Sequence, residues 1–105
     1  MELLEDKMRV WVSSAAFVKP NSAVYVFYNR KKEAIYIGNS TNLEKTFSKY
    51  VETDFEGEEC KQKTQFYQRE FMENPKERQL QLIEEFQKET GNMPFCNAEI
   101  QIETR

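Results

Sequence analysis

The sequence predicts an α+β fold, a small antiparallel three-stranded sheet flanked by helices. Two strand-like runs, Ala23 to Tyr28 and Ala34 to Gly38, flank the polar turn Asn29-Arg30-Lys31-Lys32-Glu33, which is a hairpin signal. Two helix starts follow, at Thr41-Asn42-Leu43-Glu44 and at Asn74-Pro75-Lys76-Glu77. The 105 residues suffice for one core, so the whole chain, 1–105, is read as a single domain.

Each element has its own warrant. Leu4, Met8, Trp11 and Ala15 recur at helical spacing and predict an N-terminal helix over about residues 3–16. A strand through Val10-Trp11-Val12 stays open, because β-branched and aromatic residues cluster there. Pro20 ends helical geometry ahead of the first strand. Both faces of the hairpin are apolar, so cover is expected on both sides. The capping box at Thr41 opens a helix whose stripe is Leu43, Phe47, Tyr50 and Val51. Residues 52–63 are charge-rich and without period, and are expected to form a mobile loop. Thr64 to Met72 supplies a third strand. Asn74 as cap, Pro75 at the first position and Gly91 at the end bound a helix over about 75–90. The alternation from Ala98 to Thr104 fits an edge strand or an extended tail, 98–105, that docks on a partner or a second copy.

Composition narrows the functional classes. A charged fraction of 31% and a net charge of −3 lack the basic excess of a general nucleic-acid binder. Cys60 and Cys96 are far apart and no histidine is present, so neither a zinc cluster nor a disulfide framework is expected. Cys96 then reads as a small buried residue and Cys60 as a free thiol, in a reduced, cytoplasmic setting. No apolar run approaches the roughly 20 residues that span a bilayer, and the first residues do not follow the pattern of an export signal.

Four short motifs occur in order: Ala23-Val24-Tyr25, Tyr36-Ile37-Gly38, Ser40-Thr41-Asn42-Leu43 and Pro94-Phe95-Cys96-Asn97. On this frame the chain resembles the GIY-YIG nuclease superfamily, above all the nuclease domain of the bacterial excinuclease C subunit, a DNA-repair enzyme. The resemblance covers about residues 17–97. It implies a three-stranded antiparallel sheet packed with helices and metal-dependent hydrolysis of a DNA phosphodiester. In such a site two tyrosines surround the attacking water, a helix arginine offsets phosphate charge, and a glutamate holds a divalent metal, magnesium or manganese. Tyr25 and Tyr36 match the tyrosines, and Asn97 matches the asparagine that closes the domain. Thr46 stands where the arginine is expected and Gln79 where the glutamate is expected. Threonine carries no charge, and an amide lacks the anion a hard cation prefers.

Neighbours offer little replacement. Lys49 lies three residues after Thr46 on roughly the same helical face, where its long stem could bring a positive charge near a phosphate, while Glu84 and Glu85 fall off the face of Gln79. Plainer readings stand beside these: Tyr25 and Tyr36 as packing residues of a sheet, Asn42 and Asn97 as local backbone caps, Glu56, Glu58 and Glu59 as a solvated loop. The expected function is a GIY-YIG endonuclease-like domain that is catalytically impaired and serves as a DNA- or protein-binding module, with no metal assigned. One alternative is an active endonuclease using Tyr25, Tyr36, Lys49 and an acidic residue from elsewhere. Another is a structural protein that self-associates through 98–105.

Overall fold

The computed structural model describes residues 3–97. The elements are β1 (Arg9–Val10), α1 (Trp11–Ser14), β2 (Ala23–Tyr28), β3 (Ala34–Ser40), α2 (Leu43–Thr53), β4 (Phe66–Phe71) and α3 (Pro75–Thr90). Short 3₁₀ turns occupy Ala15–Phe17, Phe55–Gly57 and Lys61–Lys63. All strand pairs are antiparallel and the sheet order is β1-β4-β2-β3. β2 is therefore central, which fits its six buried residues.

Alternation along β2 divides the interior into two layers. Tyr25 and Phe27 face Trp11, Phe47, Tyr50, Phe55 and Tyr67, an aromatic core closed by α1 and α2. Val24, Val26 and Tyr28 face Leu4, Ile37 and Leu82, a second core closed by α3 and the N-terminal segment. Cover on both faces was expected from the apolar hairpin, and both faces are covered. Each fully buried large apolar side chain contributes about 1.5–3 kcal/mol, so these layers dominate the stability of the fold.

Several expectations are corrected. The sheet has four strands rather than three, because Arg9–Val10 pairs with Phe66 and Tyr67 of β4. The helix expected over 3–16 does not form as one element. The Gln68 side chain takes the Leu4 amide and carbonyl, and Asp6 accepts from the Arg69 N–H, which draws residues 4–6 along β4 instead. Leu4, Trp11 and Ala15 are buried as the spacing suggested, but a bend and a short helix bury them. The cap of α2 is Asn42, whose Oδ1 accepts from the Lys45 N–H at 3.0 Å, and Thr41 lies outside the helix as an exposed residue. Pro75 opens α3 as expected, yet Asn74 makes no capping bond through its side chain. Gly91 closes α3 at φ 77°. The tail at 98–105 lies outside the described residues.

The segment expected to be a mobile loop is built into the core. Asp54, Phe55 and Glu56 adopt left-handed φ values of 51°, 60° and 57°, followed by Gly57 at 76°. Non-glycine residues in that region cost about 1–2 kcal/mol each, so the surroundings must hold them there. Phe55 is buried beside Trp11 and Tyr50, and Lys61 is buried as well. Cys60 and Cys96 form a disulfide with Cα atoms 5.6 Å apart, which corrects the expectation of two unpaired thiols. Sequence spacing could not foresee it, because the pairing depends on the chain beyond α3 returning beside this segment.

Candidate functional site

The residues singled out in the sequence gather along β3. Tyr36, Gly38 and Ser40 meet the α2 side of the sheet, whereas Ile37 and Asn39 meet the α3 side. Tyr25 crosses from β2 onto Gly38, where an added Cβ would collide with its ring. Glycine is needed there for that approach. The ring centroids of Tyr25 and Tyr36 are 6.0 Å apart, so the two motif tyrosines are neighbours.

Tyr25 is 2% exposed. Burial holds its phenol protonated far above the usual tyrosine range, reinforced by Tyr36 and Tyr50 alongside. Tyr36 is only partly buried. Burial raises its hydroxyl too, while the ammonium of Lys61 pulls in the opposite direction. The Lys61 Nζ sits 4.3 Å from the Tyr36 ring centroid and 5.1 Å from that of Tyr50, donates to the Tyr50 hydroxyl at 3.2 Å, and pairs with Glu58 at 2.8 Å. The Tyr50 and Tyr25 hydroxyls lie 3.5 Å apart. One chain of polar groups thus runs from buried Tyr25 through Tyr50 and Lys61 to half-buried Glu58.

Thr46 and Gln79 are engaged locally. Thr46 shares a 2.6 Å hydrogen bond with Ser40, whose hydroxyl also accepts from the Asn42 N–H. Gln79 donates to the Ile37 carbonyl at 2.8 Å and accepts from the Asn39 amide. Asn97 accepts from the Ile37 N–H at 2.8 Å and donates to the same carbonyl at 2.9 Å. Among the described residues β3 has a sheet neighbour on one side only, and these two amides bond its other edge at Ile37. The divalent cation implied by the resemblance does not fit this donor set. Gln79 offers a neutral amide whose oxygen and nitrogen both have protein partners, and among the described residues no three acidic or cysteine side chains gather in a metal-binding group.

Lys49 does not join the tyrosines. Its ammonium is solvated and pairs with Glu56 at 3.6 Å across the surface. Glu84 is likewise exposed and pairs with Lys88. Asn42 serves as a helix cap, the plainer of its two readings. Sequence reasoning missed Lys61, Tyr50, Glu58 and Asn39 as members of the site. Lys61 and Asn97 each follow a cysteine in the chain, and pairing those cysteines was the one signal that linked them.

Residues 21–93 match the family model of the GIY-YIG catalytic domain. No curated protein matches the chain.

Proposed function

The chain belongs to the GIY-YIG family, and on that premise we propose that it is an endonuclease-like domain with impaired cleavage, retained as a DNA-binding module. The observation that carries this reading is Gln79, whose amide bonds β3 through both its oxygen and its nitrogen where the family's metal-binding carboxylate is expected. Thr46, tied to Ser40, supplies no charge toward a phosphate. Losing one electrostatic stabiliser of a phosphoryl transition state typically costs about a hundredfold or more, and here two are replaced. DNA is favoured over a protein partner by a groove of about 410 Å³ at the hairpin tip, lined by Arg30, Lys31 and Lys63 with Asn29, Glu33 and Gln65. A DNA-repair role, by analogy with excinuclease C, belongs to the same reading.

Supercoiled plasmid incubated with magnesium or manganese should stay intact, while fluorescence anisotropy should report salt-sensitive binding of a labelled duplex. Nicking that disappears in Tyr25→Phe would overturn the impaired-site reading. Self-association through 98–105 is the remaining alternative, and light scattering on a chain lacking those residues tests it. The cytoplasmic setting expected from the sequence would expose the Cys60–Cys96 bridge to reductant, whereas an oxidising one would keep it closed.

A further inference from the structure

We propose that Lys61 is the resident cation of the tyrosine site, a positioning residue that sets the ionisation and orientation of Tyr36, and that the Cys60–Cys96 bridge holds it there. Lys61 is 4% exposed, and buried lysines are rare unless paired. Its ammonium is directed at Tyr36 and Tyr50, with Glu58 on its remaining side. Cationic charge is thereby placed beside the partly exposed motif tyrosine by the segment that follows α2, while the equivalent helix position carries Thr46.

Three features keep Lys61 in place. Phe55 anchors one end of the segment in the aromatic core. The succession of left-handed residues from Asp54 to Gly57 turns the chain so that the segment returns beneath Tyr36. The bridge fixes Cys60, next to Lys61, to Cys96, next to Asn97, and Asn97 is bonded to the Ile37 backbone beside Tyr36. A single covalent link therefore ties together the two segments that contact consecutive residues of β3. Without it, the strained turn keeps Phe55, the Lys61 contacts and local hydrogen bonds, from the Glu56 N–H to the Thr53 hydroxyl and from the Gln62 amide to the Asp54 carbonyl, to oppose its relaxation.

The groups facing Tyr36 are Lys61 and Glu58 from this segment, Tyr50 from α2 and Tyr25 from β2. Of these, Lys61 alone favours the phenolate by its charge. The proposal uses the family reading only in taking Tyr36 as the ligand-facing hydroxyl, and its test is spectroscopic, so it stands or falls apart from the nicking assay.

The experiment is an NMR titration of the full chain with ¹³C-labelled tyrosine ring carbons. In Lys61→Met, Tyr36 should titrate at higher pH than in the wild-type chain, and Lys61→Arg should bring it back toward the wild-type midpoint. An unmoved Tyr36 midpoint in folded Lys61→Met would overturn the assignment. A measurement on the wild-type chain covers the case in which Lys61→Met fails to fold. There the Lys61 ammonium protons should exchange slowly with water, and fast exchange would also overturn it. Addition of a dithiol reductant passes two electrons to the bridge and leaves two thiols, the reagent closing to its own disulfide. Lys61 exchange should then quicken and the Tyr36 midpoint rise. If both stay unchanged in the reduced chain, the bridge does not hold Lys61.

Discussion

Gln79 shows how one atom alters what a position can do. As an amide it donates to the Ile37 carbonyl and accepts from Asn39, while a carboxylate in the same place could only accept. Gln79→Glu should therefore lose about 1–3 kcal/mol of stability in urea unfolding at neutral pH, since it sets an anion against a carbonyl oxygen. An unchanged midpoint would mean that Gln79 does not close the edge. At Gly38 the constraint is steric, because the Tyr25 ring occupies the space of a side chain. Gly38→Ala should cost about 1–3 kcal/mol, read in the same assay. The closeness of Tyr25 and Tyr36 was legible in the sequence, since the hairpin that brings their strands together is a local pattern. The engagement of Thr46 and Gln79 was not, because their partners Ser40, Asn39 and Ile37 are chosen by the packing of helices on β3.

Elements with a regular period were the legible ones. The hairpin, α2 and α3 follow from alternation, helical spacing and Gly91, and their structural bounds lie close to those expected. The N-terminal stripe misled, because spacing of four and three records which residues are buried and not how. Asp6 explains the difference: it bonds Arg9 and the Arg69 backbone, fastening residues 4–10 to β4. Burial pushes the Asp6 carboxyl upward, but Arg9 and Arg69 outweigh it and hold the group below its usual value. A lowered folded value stabilises the chain above the unfolded aspartate pKa of about 3.9, and this contribution vanishes as pH falls through the folded value. Asp6→Asn should flatten that acid limb in a plot of stability against pH. The segment 54–63 lacks any period, yet left-handed residues and burial of Phe55 give it one conformation. Glu56→Gly should raise stability by about 1 kcal/mol by relieving φ 57°. Loss of its surface pair with Lys49 offsets little, since both partners are largely solvated.

At the scale of the molecule, two terms extend beyond any one element. The Cys60–Cys96 link closes a loop with a sequence separation of 36, for which chain entropy predicts about 3–4 kcal/mol. Cys60→Ser with Cys96→Ser should lower the unfolding free energy by that amount, and a smaller loss would place the holding force in Phe55 and Lys61. The second term is charge distribution. A net charge of −3 conceals the cationic groove at the hairpin tip. Replacing Arg30 or Lys63 with alanine should reduce the salt slope of duplex binding by about one for each phosphate that is no longer neutralised. An unaltered slope would move the DNA interface elsewhere.

By itself the sequence determined the hairpin, the two long helices and the family, because alternation, helical spacing and motif order are local properties of the chain. Only the tertiary structure decided the fourth strand, the disulfide and the placing of Lys61 beneath Tyr36. Those depend on which distant segments meet, and a residue in an aperiodic charged stretch gives no sign of its partners until the fold buries it.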